Sequence, residues 1–278
     1  MKKVMLFFLL IGGSVFAQVK ETRQVNDFST IGVSQGIQVK FTYGEKKAIE
    51  VDAEDKELLD KIMTEVSANG HLSIYVEGKT VKKRNSVKTV SYGTNGKSVV
   101  VTISNPTLEG VSAKSSGKFE LLNQAKARHF KLAVSSSGKY TGQKVTADEL
   151  DIDLSSSGKA TGAFNVMNET EINTSSSGKG EFELTTNDLE VSVSSSGKLS
   201  LKGKAQKVDA RVSSSGKIVA DGLETKELEG SASSSGAMTF RVSEKVEAKA
   251  SSSGKISYIG NPQVERKTSS GGKVHKIE

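Results

Sequence analysis

Lysine returns along this chain at a near-constant interval: Lys118, Lys139, Lys159, Lys179, Lys198, Lys217, Lys255 and Lys273, with Ala237 where the series lapses. Each of these lysines follows a glycine. Seven residues ahead of the glycine stands an acid, at Asp151, Glu171, Glu190, Asp209, Glu229, Glu247 and Glu265. If equivalent places stack in space, one stripe is basic and the other acidic, with charges about 5 Å apart. Like charges that close repel, so something ought to offset the cost. Two readings of the lysines stay open. Charged outward columns keep a repetitive β-surface soluble and discourage sheet-on-sheet stacking, and tandem duplication copies a lysine without selecting each copy. Alternatively, the eight lysines are ligand-binding residues for a regular polyanion, an acidic polysaccharide or lipopolysaccharide. The acids suggest calcium only weakly. One carboxylate per unit with no second ligand column makes a poor cage, so no metal site and no cofactor are expected.

Other chemistry falls away on inspection. Ser136-Ser137-Gly138-Lys139 fits a Ser-x-x-Lys nucleophile pattern, but so does nearly every repeat, and the partner motifs of that enzyme class are missing. Gly78-Lys79-Thr80 resembles the end of a phosphate-binding loop, yet Ser73 stands where its first glycine belongs. His71, His129 and His275 are too scattered for a zinc site or a triad and are expected to be packing or surface residues. A polysaccharide lyase would gather acids and an arginine in one cleft; here the acids are spread one per unit and Arg211 lacks such neighbours. A lattice-matching hydroxyl face, as in ice binding, would need the serines on a broad flat surface rather than at a bend.

The elements that carry these charges follow from one phrase. Ser-Ser-Ser-Gly-Lys or a variant recurs around Gly117, Gly138, Gly158, Gly178, Gly197, Gly216, Gly236, Gly254 and Gly272, at spacings of 21, 20, 20, 19, 19, 20, 18 and 18 residues. Self-similarity at a fixed short period marks a repeat architecture. Eight, six and four residues before the glycine the positions are mostly apolar, as in Leu150, Ile152 and Leu154; two after it come Phe119, Tyr140, Ala160, Gly180, Leu199, Ile218, Met238, Ile256 and Val274. This is the period-2 pattern of strands with one face inward, broken late by Arg266. Each repeat should hold at least two short strands with a bend at Ser-Gly and a looser third segment. A unit of about twenty residues is too short for a helical crossover but suits one rung of a parallel β-solenoid. The serines two before each glycine are expected to form an inward, self-satisfying hydroxyl ladder, and the glycine to supply a bend closed to residues with a Cβ.

Composition bounds the setting. Lys2, Lys3, the apolar run Val4–Ile11 and Val15-Phe16-Ala17 read as a secretory leader over 1–17, too short to span a bilayer permanently. Its removal takes two lysines and no acid, lowering the formal charge from +7 to +5, too little to argue for nucleic acid. The chain has no cysteine, which excludes disulfides. Residues 18–105 lack the repeated phrase. Runs at Thr30–Val33, Ile37–Tyr43, Ile49–Asp52, His71–Val76 and Ser98–Ser104 read as strands, Glu54–Met63 as a short helix, and the basic stretch Lys79–Lys97 as an exposed loop or hairpin. We take 18–105 as a β-rich cap that covers the solenoid edge, and 106–278 as the solenoid.

The segments "RQVNDFSTIGVSQGIQVKFTYG", "VDAEDKELLDKIMTEVSANGHLSIYV" and "YIGNPQV" resemble the head GIN domain family of putative auto-transporter adhesins, over nearly all of the chain beyond the leader. The resemblance implies a right-handed parallel β-helix exported by Gram-negative bacteria, often Bacteroidetes, with no established activity. Members commonly read Gly-Ser-Gly-Asp where this chain reads Ser-Ser-Gly-Lys, so a property built on that acid does not carry over. The expectation is an all-β protein: an N-terminal β-rich cap and a right-handed parallel β-helix of about nine rungs. It is exported to the periplasm, outer-membrane surface or medium, not transmembrane, and is a non-catalytic structural or adhesin-like module. The alternative is a lyase-like polysaccharide enzyme.

Overall fold

The computed structural model describes residues 18–83, 86–90 and 93–278; the expected leader over 1–17 and Arg84 of the basic insert lie outside the described residues. Inward apolar residues at every second position leave a strand no stable place except against a like neighbour. The chain meets this condition by coiling. Strands Lys139–Leu154, Lys159–Thr174, Lys179–Val193, Lys198–Val212, Lys217–Ala232 and Ala237–Ala250 each pair in parallel with the next. The result is a β-solenoid of about eight turns, in keeping with the expected parallel β-helix of about nine rungs.

The predicted apolar columns all face the axis. Phe130, Leu132, Ile152, Val191, Val208 and Ile218 are fully or almost fully buried, as is the facing column from Phe119 to Ile256. Small and large residues are complementary across the core. Gly180 leaves room for Phe182, Leu199 and Leu154, whereas Gly230 leaves room for Met238 and Ile256. The tapering of one column is therefore filled by the other, at the density a core requires. Phe41, Phe119 and Tyr140 stack along the axis, with ring centroids 5.9 and 6.0 Å apart.

The expected loose third segment is absent from the central coils. Each is one strand of 14 to 16 residues whose register slips at Thr141/Lys144, Ala147/Glu149, Asn165/Glu169, Ser200/Lys202, Ala220/Glu224 and Thr225/Glu227. These slips absorb the differences in repeat length and let the strand turn without leaving the ladder.

The parallel ladder also runs on below residue 106. Thr30–Val33 lies between Gly110–Ala113 and His71–Val76, and Gln38–Tyr43 between Lys118–Leu121 and Val99–Asn105, all in parallel. Antiparallel strands then close this end: Ile62–Val66 on His71–Val76, Ile49–Ala53 on Val99–Asn105, and Val19–Arg23 on Ile49–Ala53. The helix is shorter than expected, only Lys56–Leu59, because the β-branched Ile62 already pairs with Val76. Asp55 caps its start by accepting from the Leu58 N–H, and the half-buried Arg23 guanidinium donates to the Leu59 and Ile62 carbonyls at its end. The basic insert is a hairpin, Lys79–Lys83 on Ser86–Val90. At the other end Arg266 takes an inward place but turns to the surface and donates to the Val274 carbonyl. A charge at the last open edge hinders another strand from adding there.

Candidate functional site

The site is the row of corners. At Ser135–Gly138 the Gly138 N–H donates to the Ser135 carbonyl at 2.8 Å, while Ser136 and Ser137 hold φ of 49° and 63°. Positive φ at both central residues with that hydrogen bond defines a type I′ turn, whose twist matches the strands it joins. The same pair of left-handed serines recurs at 115/116, 156/157, 176/177, 195/196, 214/215, 234/235 and 252/253. A left-handed residue with a Cβ costs roughly 1 kcal/mol, so the chain accepts strain at every corner. Glycine relieves it in only three, at Gly36, Gly96 and Gly271.

This geometry corrects two expectations. The serines two before each glycine are exposed, not an inward ladder, because the corner interrupts the strand alternation just there. None of the nine motif glycines has positive φ; the serines make the bend. The glycines are needed for closeness instead. A Cβ on Gly138 would lie 2.1 Å from the Ala113 carbonyl oxygen, and one on Gly158 2.2 Å from that of Val134.

Successive corners are stitched along the axis. The N–H of the second left-handed serine donates to the next corner, as Ser137 to Ser156 O at 3.2 Å. The N–H of the first, as in Ser136, Ser156 and Ser176, has no partner among the described residues, and neither do the corner hydroxyls. Each Ser-Ser corner therefore presents one backbone donor and two hydroxyls without a partner among the described residues.

Beside the corners the lysines fall into one file. Lys118, Lys139, Lys159, Lys179, Lys198, Lys217, Ala237, Lys255 and Lys273 are direct partners in consecutive ladders. All eight lysines are exposed, and among the described residues none has a carboxylate within ion-pair distance. The next outward column on the strand side holds Glu120, Thr141, Thr161, Glu181 and Ser200.

The acids also stack in register, from Asp151 to Glu265. They are matched almost throughout. His129 meets Asp151 at 2.9 Å, Asn173 donates to Glu171, Arg211 bridges Glu190 and Asp209 at 2.6 and 2.7 Å, Lys249 meets Glu229 and Lys245 meets Glu247. Burial pushes the Asp209 carboxyl above its ordinary range against the pull of Arg211, whereas the Lys245 hydrogen bond holds that of Glu247 below it. Arg211 is thus an ion-pairing residue on an exposed face. Among the described residues no group of three or more His, Asp or Glu is arranged to hold a metal.

The histidines lie apart, His71 against the Thr30 hydroxyl and His275 beside Ser257. Sequence reasoning missed the serine corners as a display of donors. A signal was present: if the strand ran on through Ser-Ser-Ser, its alternation would turn a serine hydroxyl into the apolar core, which a turn at the run avoids.

The family described as "Putative auto-transporter adhesin, head GIN domain" matches over residues 27–168 and 162–262. The chain belongs to that family. No curated protein matches it. Among solved structures, this head GIN chain is similar to a "putative adhesin" from Parabacteroides merdae, at 19% identity, with 94% of this chain and 96% of that one covered and a TM-score of 0.65. It is also similar to a "Putative lipid binding protein" from Parabacteroides distasonis, at 20% identity, with 94% and 97% covered and a TM-score of 0.64. At such identities the likeness concerns the fold. No helix among the described residues is long and apolar enough to cross a membrane.

Proposed function

We propose that this head GIN protein is exported through its 1–17 leader and serves in the cell envelope, or outside it, as a non-catalytic adhesin-like module. In this reading it holds an anionic glycan along the file Lys118, Lys139, Lys159, Lys179, Lys198, Lys217, Lys255 and Lys273. One observation carries the reading: these ammonium groups stand in register on an exposed face, and among the described residues no carboxylate lies within ion-pair distance of them. Adjacent unit charges at one strand spacing repel by up to about 1 kcal/mol in water before salt screens them. A chain of anions laid along the file removes that repulsion and gains attraction in its place. The family's description as adhesins supports a surface role.

A glycan array probed at two salt concentrations, with retention on a sulfated-polysaccharide column, tests the reading. Binding should weaken with salt and disappear when Lys159, Lys179 and Lys198 are changed to Glu. Retention that is indifferent to the charge reversal contradicts it. Since one structural relative is described as lipid-binding, vesicles of anionic lipid belong in the same experiment. Binding to lipid A or its phosphates rather than to polysaccharide would move the ligand to the lipopolysaccharide anchor.

A further inference from the structure

We infer that the ligand is a linear polyuronate, a chain of sugar rings each bearing one carboxylate, laid along the corners with one ring per coil. The inference rests on the anionic-glycan reading and narrows it to a chemical class. The first argument is pitch. The file repeats at one strand spacing, about 4.8 Å, close to the axial advance of a 1→4-linked pyranose ring; because successive rings are turned about the chain, their carboxylates reach the ammonium row and the serine corners by turns. Polyphosphate places its charges more closely than this, and sulfated glycosaminoglycans place theirs several to a disaccharide and unevenly.

The second argument is chemical content. Each of the six coils from Lys118 to Lys217 offers one ammonium and, among the described residues, one unpartnered backbone N–H and two unpartnered hydroxyls. An ammonium and an N–H suit a carboxylate; hydroxyls that both donate and accept suit the hydroxyls of the same sugar. A phosphate polymer would use the ammonium and leave most of the rest idle.

Strain supplies the third argument. Seventeen serines sit in left-handed backbone, although Gly36, Gly96 and Gly271 occupy the second central place of the equivalent turns without strain. Retained strain at an exposed surface points to a use for the side chain. The side of approach is fixed as well. Glu120 and Glu181 flank the lysines on the strand side, so an anionic chain lies toward the serines.

The file is unbroken for six coils, Lys118 to Lys217, before Ala237 interrupts it. Titration of the full chain with oligogalacturonates of increasing length tests the assignment. Affinity should rise ring by ring and level off near six rings, the number of uninterrupted lysines. Ala237→Lys, which completes the file through Lys273, should move the levelling point to about nine rings. Ser156→Gly with Ser176→Gly should weaken six-ring binding about fivefold while leaving the melting temperature unchanged or higher. An unmoved levelling point in Ala237→Lys overturns the proposal, as does polyphosphate binding equally well at equal total charge. Either leaves the lysine file as a general polyanion site. Failure of every polyanion to bind overturns the site itself, and preference for anionic vesicles over the uronate overturns the ligand class.

Discussion

Two columns of charge run along the same coils, and they are built differently. Most of the acids have a hydrogen-bond or ion-pair partner, from the His129 ring on Asp151 to the Lys245 ammonium on Glu247. The lysines make no ion pair among the described residues, and on one side their neighbours are serines held in strained corners. Both columns face the same repulsion at one strand spacing. One relieves it largely within the molecule; the other carries it without an ion pair among the described residues. Stacking alone does not make a binding surface, since both columns stack. The difference lies in whether the protein has already supplied the counter-charge.

The largest predicted effect strikes the core that holds both columns in register. Leu154→Asp should cost about 3 kcal/mol or more, because the carboxylate enters an apolar interior unpaired, whereas Ala250→Ser should cost far less. Equal melting temperatures for these two would contradict the assignment of the core. Next comes the close approach of successive coils. Gly158→Ala puts a methyl group 2.2 Å from the Val134 carbonyl oxygen, against the Val134–Ser135 backbone of the preceding coil. It should cost about 2 kcal/mol in denaturant unfolding and weaken polyanion binding together with stability. A Gly158→Ala variant as stable as the parent would mean the coils are farther apart than described.

Smaller effects separate the columns. Arg211→Ala strips Glu190 and Asp209 of their shared partner and should lower stability by about 0.5–1 kcal/mol. Lys179→Gln removes a charge that makes no ion pair and has a like charge on either side, Lys159 and Lys198, and should leave stability equal or a few tenths of a kcal/mol higher. Denaturation midpoints at low and high salt check the pair, and the two differences should shrink together as salt rises. The smallest effect is in pH. The folded chain holds the Glu247 carboxyl below its ordinary value of 4.5 through Lys245, so the unfolded chain takes up the proton first. Stability from this contact is complete above pH 4.5 and is lost as pH falls through the folded-state value. Glu247→Gln should flatten that part of the stability–pH curve, measured by thermal unfolding between about pH 5 and about pH 3.

The columns nearest the repeated phrase were legible because the corner fixes their distance from the glycine. Ile152, Leu154 and Tyr140 keep a constant offset, and so do the lysines and acids. The third face was not legible. Repeat length varies from 18 to 21 residues, and the register slips absorb that variation between Thr141 and Glu149 and at equivalent places. Val145, Phe164, Ala205 and Leu223 are buried there at seven, six, eight and seven residues after their motif glycines, so no constant offset marks the column. The serines were misread for a related reason: a period of two carries no information through a turn with two left-handed residues. The corners at Ser34–Ile37 and Thr94–Lys97 carry no Ser-Ser-Gly-Lys at all, and only the backbone reveals their kinship.

Thermal unfolding of the full chain at low salt, with and without polygalacturonate, bears most directly on the lysine file. The parent should melt higher with the polymer present, since a ligand that binds only the folded chain stabilises it. The variant with Lys159, Lys179 and Lys198 all changed to Glu should show no such rise. An equal shift in both proteins, or none in the parent, would contradict the assignment of the unmatched lysines as a ligand site.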